Sequence, residues 1–174
     1  MGSITTEDIL TFLVQLGNYY KEPATLYLIG GSALCLMGNP RRTMDIDFSL
    51  ASLESNQPLL DSMMTVADKM EIELEVITIE EFVPVPADAF QRHQFVEKFG
   101  NISLFIYDPY TIALSKLARG LETDIQDVLF LLENKTIEMH KLERIVEDAI
   151  PAAWEKDVDP NDLKAYLTEV KKHY

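Results

Sequence analysis

Asp45 and Asp47 alternate with Ile46 and Phe48 in the run Asp45-Ile46-Asp47-Phe48, and a strand with this pattern sends both carboxylates to one face. Two hard oxygen donors so placed suit Mg2+, which prefers oxygen ligands and shares its shell with substrate phosphates. A metal pair held there would ease attack on phosphorus and stabilise a departing pyrophosphate. An acidic, solvated strand edge is the plain alternative for an isolated Asp-x-Asp. Upstream, Gly30-Gly31-Ser32 directly follows the apolar run Leu26–Ile29. The two glycines would let backbone amides approach a phosphate, with the Ser32 hydroxyl and the positive end of the next helix beside them. The same three residues also read as a tight strand-to-helix turn. Arg41 and Arg42 bring positive charge just before the acidic strand.

The elements that must position these residues follow from local pattern. Thr5 caps a helix starting near Thr6 and ending by Lys21, with Asp8 as an acidic capping-box partner. Pro23 turns the chain into a strand at Leu26–Ile29, whose continuous apolar pattern fits burial by helices. A short helix at Ala33–Met37 is ended by Gly38-Asn39-Pro40, returning the chain to a second strand at Asp45–Phe48. Leu53–Met70 has helical periodicity, with Met63, Met64 and Met70 as core or groove side chains. Glu71–Thr78 alternates as a half-exposed strand with Glu71, Glu73 and Glu75 on one face.

Pro84-Val85-Pro86 interrupts regular pairing. Phe90, Phe95 and Phe99 are expected in a loop and short helix, forming an aromatic patch against the sheet. Arg92 and His93 there either approach substrate or serve as ordinary polar groups. Asn101–Tyr107 reads as a further strand. Asp108-Pro109 opens two helices, Tyr110–Leu117 and Asp124–Leu132, parted around Arg119-Gly120. Asp124 and Asp127 are three positions apart and face the same way, so they could orient Lys116 or touch substrate; helix capping and surface pairing by Asp124 is the structural account. Helices at Glu138–Ala149 and Pro160–Lys171 complete the chain, with Trp154 expected to anchor their connection. The fold class is α/β (α+β): a small mixed sheet with flanking helices and a C-terminal helical cap. The expected organisation is a domain over 1–134 and a helical extension over 135–174 packed on it.

With 174 residues and 47% hydrophobic side chains, the chain can bury one substantial core. A net charge of -14 opposes a long nucleic-acid partner. No apolar run approaches the roughly 20 residues of a membrane span, so no membrane partner is expected. Residues 1–10 lack a basic segment followed by a cleavage signal, and a cytoplasmic chain is the expectation. The lone Cys35 cannot form an internal disulfide and reads as a buried thiol.

Taken together, Gly30, Gly31 and Ser32, then Arg41 and Thr43, then Asp45 and Asp47 resemble the nucleotidyltransferase superfamily built on the DNA polymerase beta-like fold. More narrowly, the chain is similar to bacterial nucleotidyltransferase-like proteins related to the toxin of abortive-infection toxin–antitoxin systems. The match runs from about Thr25 to Leu132. It implies a glycine-rich phosphate turn and an Arg-x-Thr-x-Asp-Ile-Asp metal strand. It also implies a third carboxylate on a neighbouring strand, for which this chain offers Glu73 or Glu75. In the toxin-like group a lysine helix followed by Arg-Asp-x-x-Asp supports nucleotide binding; here Lys116 precedes Thr123-Asp124-Ile125-Gln126-Asp127, with threonine in the arginine place. The implied activity is transfer of a nucleoside monophosphate from a nucleoside triphosphate, with Mg2+, to an acceptor hydroxyl. A small molecule or protein is favoured as acceptor over an RNA end, and an antitoxin or other protein is the implied macromolecular partner. The alternative is an inactive protein of this fold that binds nucleotide or a protein partner.

Overall fold

The computed structural model describes residues 2–174. The chain divides into two compact units, one comprising the chain up to Thr78 with Gln94–Tyr107, the other Ile79–His93 with Asp108–Tyr174.

The first unit contains a five-stranded mixed sheet. Helix α1 (Thr6–Tyr19) begins with the capping box expected from sequence: the Asp8 amide donates to Thr5 Oγ1 at 3.2 Å and the Thr5 amide to Asp8 Oδ2 at 2.8 Å. Its buried Ile9, Phe12, Leu13 and Leu16 recur at helical spacing and form one apolar stripe. There follow β1 (Ala24–Leu28), α2 (Gly30–Leu36), β2 (Ile46–Ser49), α3 (Gln57–Met70), β3 (Leu74–Ile77), β4 (Gln94–Phe99) and β5 (Ile102–Ile106). The strand order is β3-β2-β1-β5-β4. β1 runs parallel to β5 and β2 to β3, while β1/β2 and β4/β5 are antiparallel. Leu26, Leu28, Ile46, Phe48, Ile102, Leu104 and Ile106 are buried on one sheet face. Phe12 of α1 meets Phe48 there, ring centroids 5.7 Å apart. The opposite face carries Tyr27, Asp47, Ser103 and Phe105, as the two-residue alternation of strands requires. Cys35 is buried, as expected.

One segment departs from expectation. Phe95 and Phe99 lie on β4, not in a loop and helix, and Phe95 pairs with Phe105 with ring centroids 5.4 Å apart. The register slips between Phe95 and Glu97. Such a bulge puts the two halves of the strand out of phase, which erases the alternation that would have announced it.

The second unit is helical: α4 (Pro109–Arg119), α5 (Glu122–Glu133), α6 (Met139–Ala149) and α7 (Pro160–His173), with 3-10 turns at Ile79–Glu81, Ala89–Arg92 and Ile150–Lys156. α4 packs against α5, α6 and α7. Asp108 caps α4, accepting from the amides of Tyr110 and Thr111 at 3.1 and 3.2 Å. Gly120 ends it with φ +70°, the left-handed conformation glycine adopts without penalty. Trp154 is 66% exposed and anchors nothing; the neighbouring Ala153 takes the buried position in its turn. Among the described residues, no helix is long and apolar enough to cross a membrane.

Candidate metal centre

Asp45 lies just before β2, Asp47 within it and Glu75 in β3. The parallel register pairs Asp47 with Glu75, and directly opposed residues share a sheet face. One carboxylate oxygen from each of Asp45, Asp47 and Glu75 lies within 4.8 Å of the others. Two oxygens on opposite sides of a Mg2+ stand about 4.2 Å apart, each about 2.1 Å from the ion. The three side chains therefore converge on nearly the span of one coordination sphere, with the all-oxygen chemistry a hard divalent cation takes. Asp45 and Asp47 are half-buried and Glu75 is exposed. Glu73, also exposed, falls before β3 and outside this trio.

The residues around the trio hold it in shape. Gly30 has φ +58°, and a Cβ there would stand 2.5 Å from Asp47 Oδ2. A Cβ on Gly31 would stand 2.9 Å from Thr43 Oγ1. Both glycines thus keep open the space that Asp47 and Thr43 occupy. Ser32 is fully buried; its hydroxyl donates to the Ile29 carbonyl at 3.0 Å and accepts from the Asp47 amide at 2.9 Å. Its oxygen joins α2 to β2 and fixes the backbone from which Asp47 projects. Thr43 acts in the same way on the other carboxylate, donating to the Asp45 carbonyl at 3.1 Å while its own carbonyl accepts from Ile4 at 2.6 Å. Arg41 and Arg42 are exposed; the Arg41 amide is held by Asn39 Oδ1 at 3.0 Å.

Lys116, Asp124 and Asp127 belong to the helical unit, and the structure does bring them together. Lys116 Nζ lies 2.9 Å from Asp127 Oδ2 and 3.5 Å from Asp124 Oδ1, with all three residues buried. Asp124 is gripped further by Arg119, whose guanidinium donates to both carboxylate oxygens at 2.7 Å. Sequence pattern does not single out Arg119 for this role. The available signal is its position five residues before Asp124, across the chain reversal at Gly120. Burial alone would push the Asp124 carboxyl up, but Arg119, Lys116 and the Leu121 amide outweigh it and hold the group below the ordinary range.

Arg92 is likewise committed, donating to both oxygens of the fully buried Asp108 at 2.8 and 2.9 Å and pairing with Asp88 at 2.8 Å. His93 Nδ1 accepts from the Asp108 amide at 3.0 Å. Partial burial, over the opposing pull of Asp108, lowers its pKa below 6.5. A neutral ring is what that acceptor geometry needs.

No curated protein matches the chain. One solved structure does, an antigenic nucleotidyltransferase-like protein from Paracoccidioides brasiliensis, with 14% sequence identity, a TM-score of 0.49, and coverage of 91% of this chain and 96% of that one. The family model described as "Nucleotidyltransferase of unknown function (DUF6036)" matches residues 7–174. The converging carboxylates therefore sit within a match that spans the sheet and helices α1 to α7, and the chain belongs to this nucleotidyltransferase family.

Proposed function

We propose that the chain is a metal-dependent nucleotidyltransferase that moves a nucleoside monophosphate from a nucleoside triphosphate to an acceptor hydroxyl. The observation that carries this reading is the convergence of Asp45, Asp47 and Glu75 on one sheet face, with Gly30 leaving room for Asp47. Asp45 and Asp47 would hold Mg2+ with Glu75 completing the set, and the ion, when bound, supplies compensation for charge on the reacting phosphate. Gly30 and Gly31 offer backbone amides to triphosphate oxygens at the start of α2, and Arg41 adds positive charge from its exposed position. The acceptor oxygen bonds to the α-phosphorus, the bond from that phosphorus to the α–β bridging oxygen breaks, and pyrophosphate leaves. The hydroxyl proton passes to Glu75, the most exposed of the three carboxylates. Ser32 and Thr43 position Asp47 and Asp45. The family resemblance assigns Lys116 to phosphate charge and Asp124 and Asp127 to nucleotide binding; all three are buried and mutually paired, a pairing that also braces α4 against α5.

The test is incubation with each α-labelled nucleoside triphosphate, Mg2+ and an extract of the source cell. Wild type should release pyrophosphate and label an acceptor, whereas Asp45→Asn with Asp47→Asn should do neither. Intact nucleotide binding without transfer would instead make the chain a nucleotide-binding module. The toxin-like resemblance extends the proposal to a toxin–antitoxin role. Induced expression should then arrest growth, and Asp47→Asn should relieve the arrest; equal growth with and without induction would remove that extension.

A further inference from the structure

The helical unit contains a cavity of about 720 Å3, within the range of about 300–1,000 Å3 typical of small-molecule sites. All of its lining comes from this unit, and neither the carboxylate trio nor the Lys116 cluster takes part. One wall is a stripe of α6, where Lys141, Arg144, Ile145 and Asp148 recur at helical spacing; the other is the proline-stiffened loop Pro84-Val85-Pro86.

Two basic side chains, Lys141 and Arg144, meet on the helical wall of this cavity. Among the described residues neither Lys141 nor Arg144 has a carboxylate oxygen within 4.0 Å; Lys141 lies over the Tyr110 ring, 5.1 Å from its centroid, and attracts Asp88 only over a longer distance. Arg92, the third cation of the lining, is consumed by Asp108 and Asp88. Asp148 and Asp88 also face this space. They would repel a polyanion, and the overall charge of -14 adds to that repulsion. What the lining favours is one compact anionic head beside an apolar body that can lie against Pro84, Val85, Pro86 and Ile145.

We propose that this cavity is a binding site for a metabolite-sized organic anion, its phosphate or carboxylate held by Lys141 and Arg144 and its apolar or aromatic body against the proline loop. The site is separate from the proposed transfer chemistry and stands or falls without it.

The test is calorimetric titration of the full chain, free of divalent metal, with phenyl phosphate. Inorganic phosphate and benzyl alcohol supply the head and the body alone. Saturable one-to-one binding of phenyl phosphate is expected, with each half-ligand at least about tenfold weaker. Lys141→Gln with Arg144→Gln should weaken phenyl phosphate by about tenfold or more, as loss of charge-assisted hydrogen bonds implies. Ala152→Trp, which places a ring in the cavity, should abolish it. Thermal melting of each variant establishes that it is folded, and Arg144→Gln alone, at an exposed position, serves if the double variant is not. No saturable binding, or binding unchanged when the two cations are removed from a folded chain, overturns the proposal.

Discussion

Replacing Gly30 by alanine tests the geometry of the candidate metal centre with a single methyl group. The added Cβ would meet Asp47 Oδ2 at 2.5 Å, Cγ at 3.1 Å and Cβ at 3.3 Å. Turning the carboxylate about its own axis does not clear all three atoms. Restoring an ordinary contact of about 3.4 Å from 2.5 Å needs a displacement of about 0.9 Å, several times the distance tolerance of about 0.2 Å that a metal site allows. Metal affinity should fall about 10- to 100-fold, the range seen when support around a metal ligand is lost. The left-handed φ of +58° adds about 1–2 kcal/mol of destabilisation for a residue with a Cβ. Gly38→Ala separates the two effects, because Gly38 has φ +96° and nothing within 4 Å of the place its new methyl group would take. It should lose comparable stability in urea denaturation and bind Mn2+ like wild type. If folded Gly30→Ala binds Mn2+ as wild type does, the reasoning that ties this glycine to Asp47 is wrong.

Arg119→Ala should destabilise the helical unit by about 2 kcal/mol at pH 7, since it strips two charge-assisted bonds from a fully buried carboxylate. The folded Asp124 pKa lies below its ordinary 3.8, so its contribution is complete above that value and is lost as pH falls through the lower, folded one. The gap between wild type and Arg119→Ala in urea midpoints should therefore narrow in acid; a gap that widens there would contradict the assignment. His93 should titrate below 6.5 by NMR. Its neutral form is favoured in the folded chain, so its stabilising contribution is full above 6.5 and declines as pH drops through the folded value, a component that His93→Gln should remove. A His93 midpoint above 6.5 would refute this. Gly120→Ala should cost about 3 kcal/mol or more, because the new Cβ would overlap the Tyr166 ring and φ is +70°; Tyr166→Ala should restore part of that loss, and denaturation midpoints report both.

The features legible in the sequence are those encoded over a few neighbouring residues. The Thr5–Asp8 capping box needs only four positions, and it forms. The Leu26–Ile29 run and the Asp45–Phe48 alternation each announce a strand, although the observed strands are Ala24–Leu28 and Ile46–Ser49, leaving Asp45 just outside. Helices α6 and α7 start within a residue of their expected first positions because Pro160 and the apolar stripe of α6 mark them locally. Choosing between Glu73 and Glu75 is beyond local pattern, since period-two alternation places both on one face. Only the pairing of β2 with β3 brings Glu75 opposite Asp47. β4 is hidden by its bulge. Arg119 is silent in the sequence because its partner Asp124 lies across the reversal at Gly120, where helical spacing no longer predicts neighbours.

Titration of Mn2+ followed by electron paramagnetic resonance, with and without a nucleoside triphosphate, tests the central assignment most directly. Wild type should bind Mn2+ more tightly when the triphosphate is present. Asp45→Asn and Asp47→Asn should each lose at least about tenfold in affinity, Glu75→Gln should weaken binding, and Glu73→Gln should leave it unchanged. Equal Mn2+ affinity in wild type and a folded Asp47→Asn, or a response to Glu73→Gln as large as that to Glu75→Gln, would contradict the trio as the metal centre.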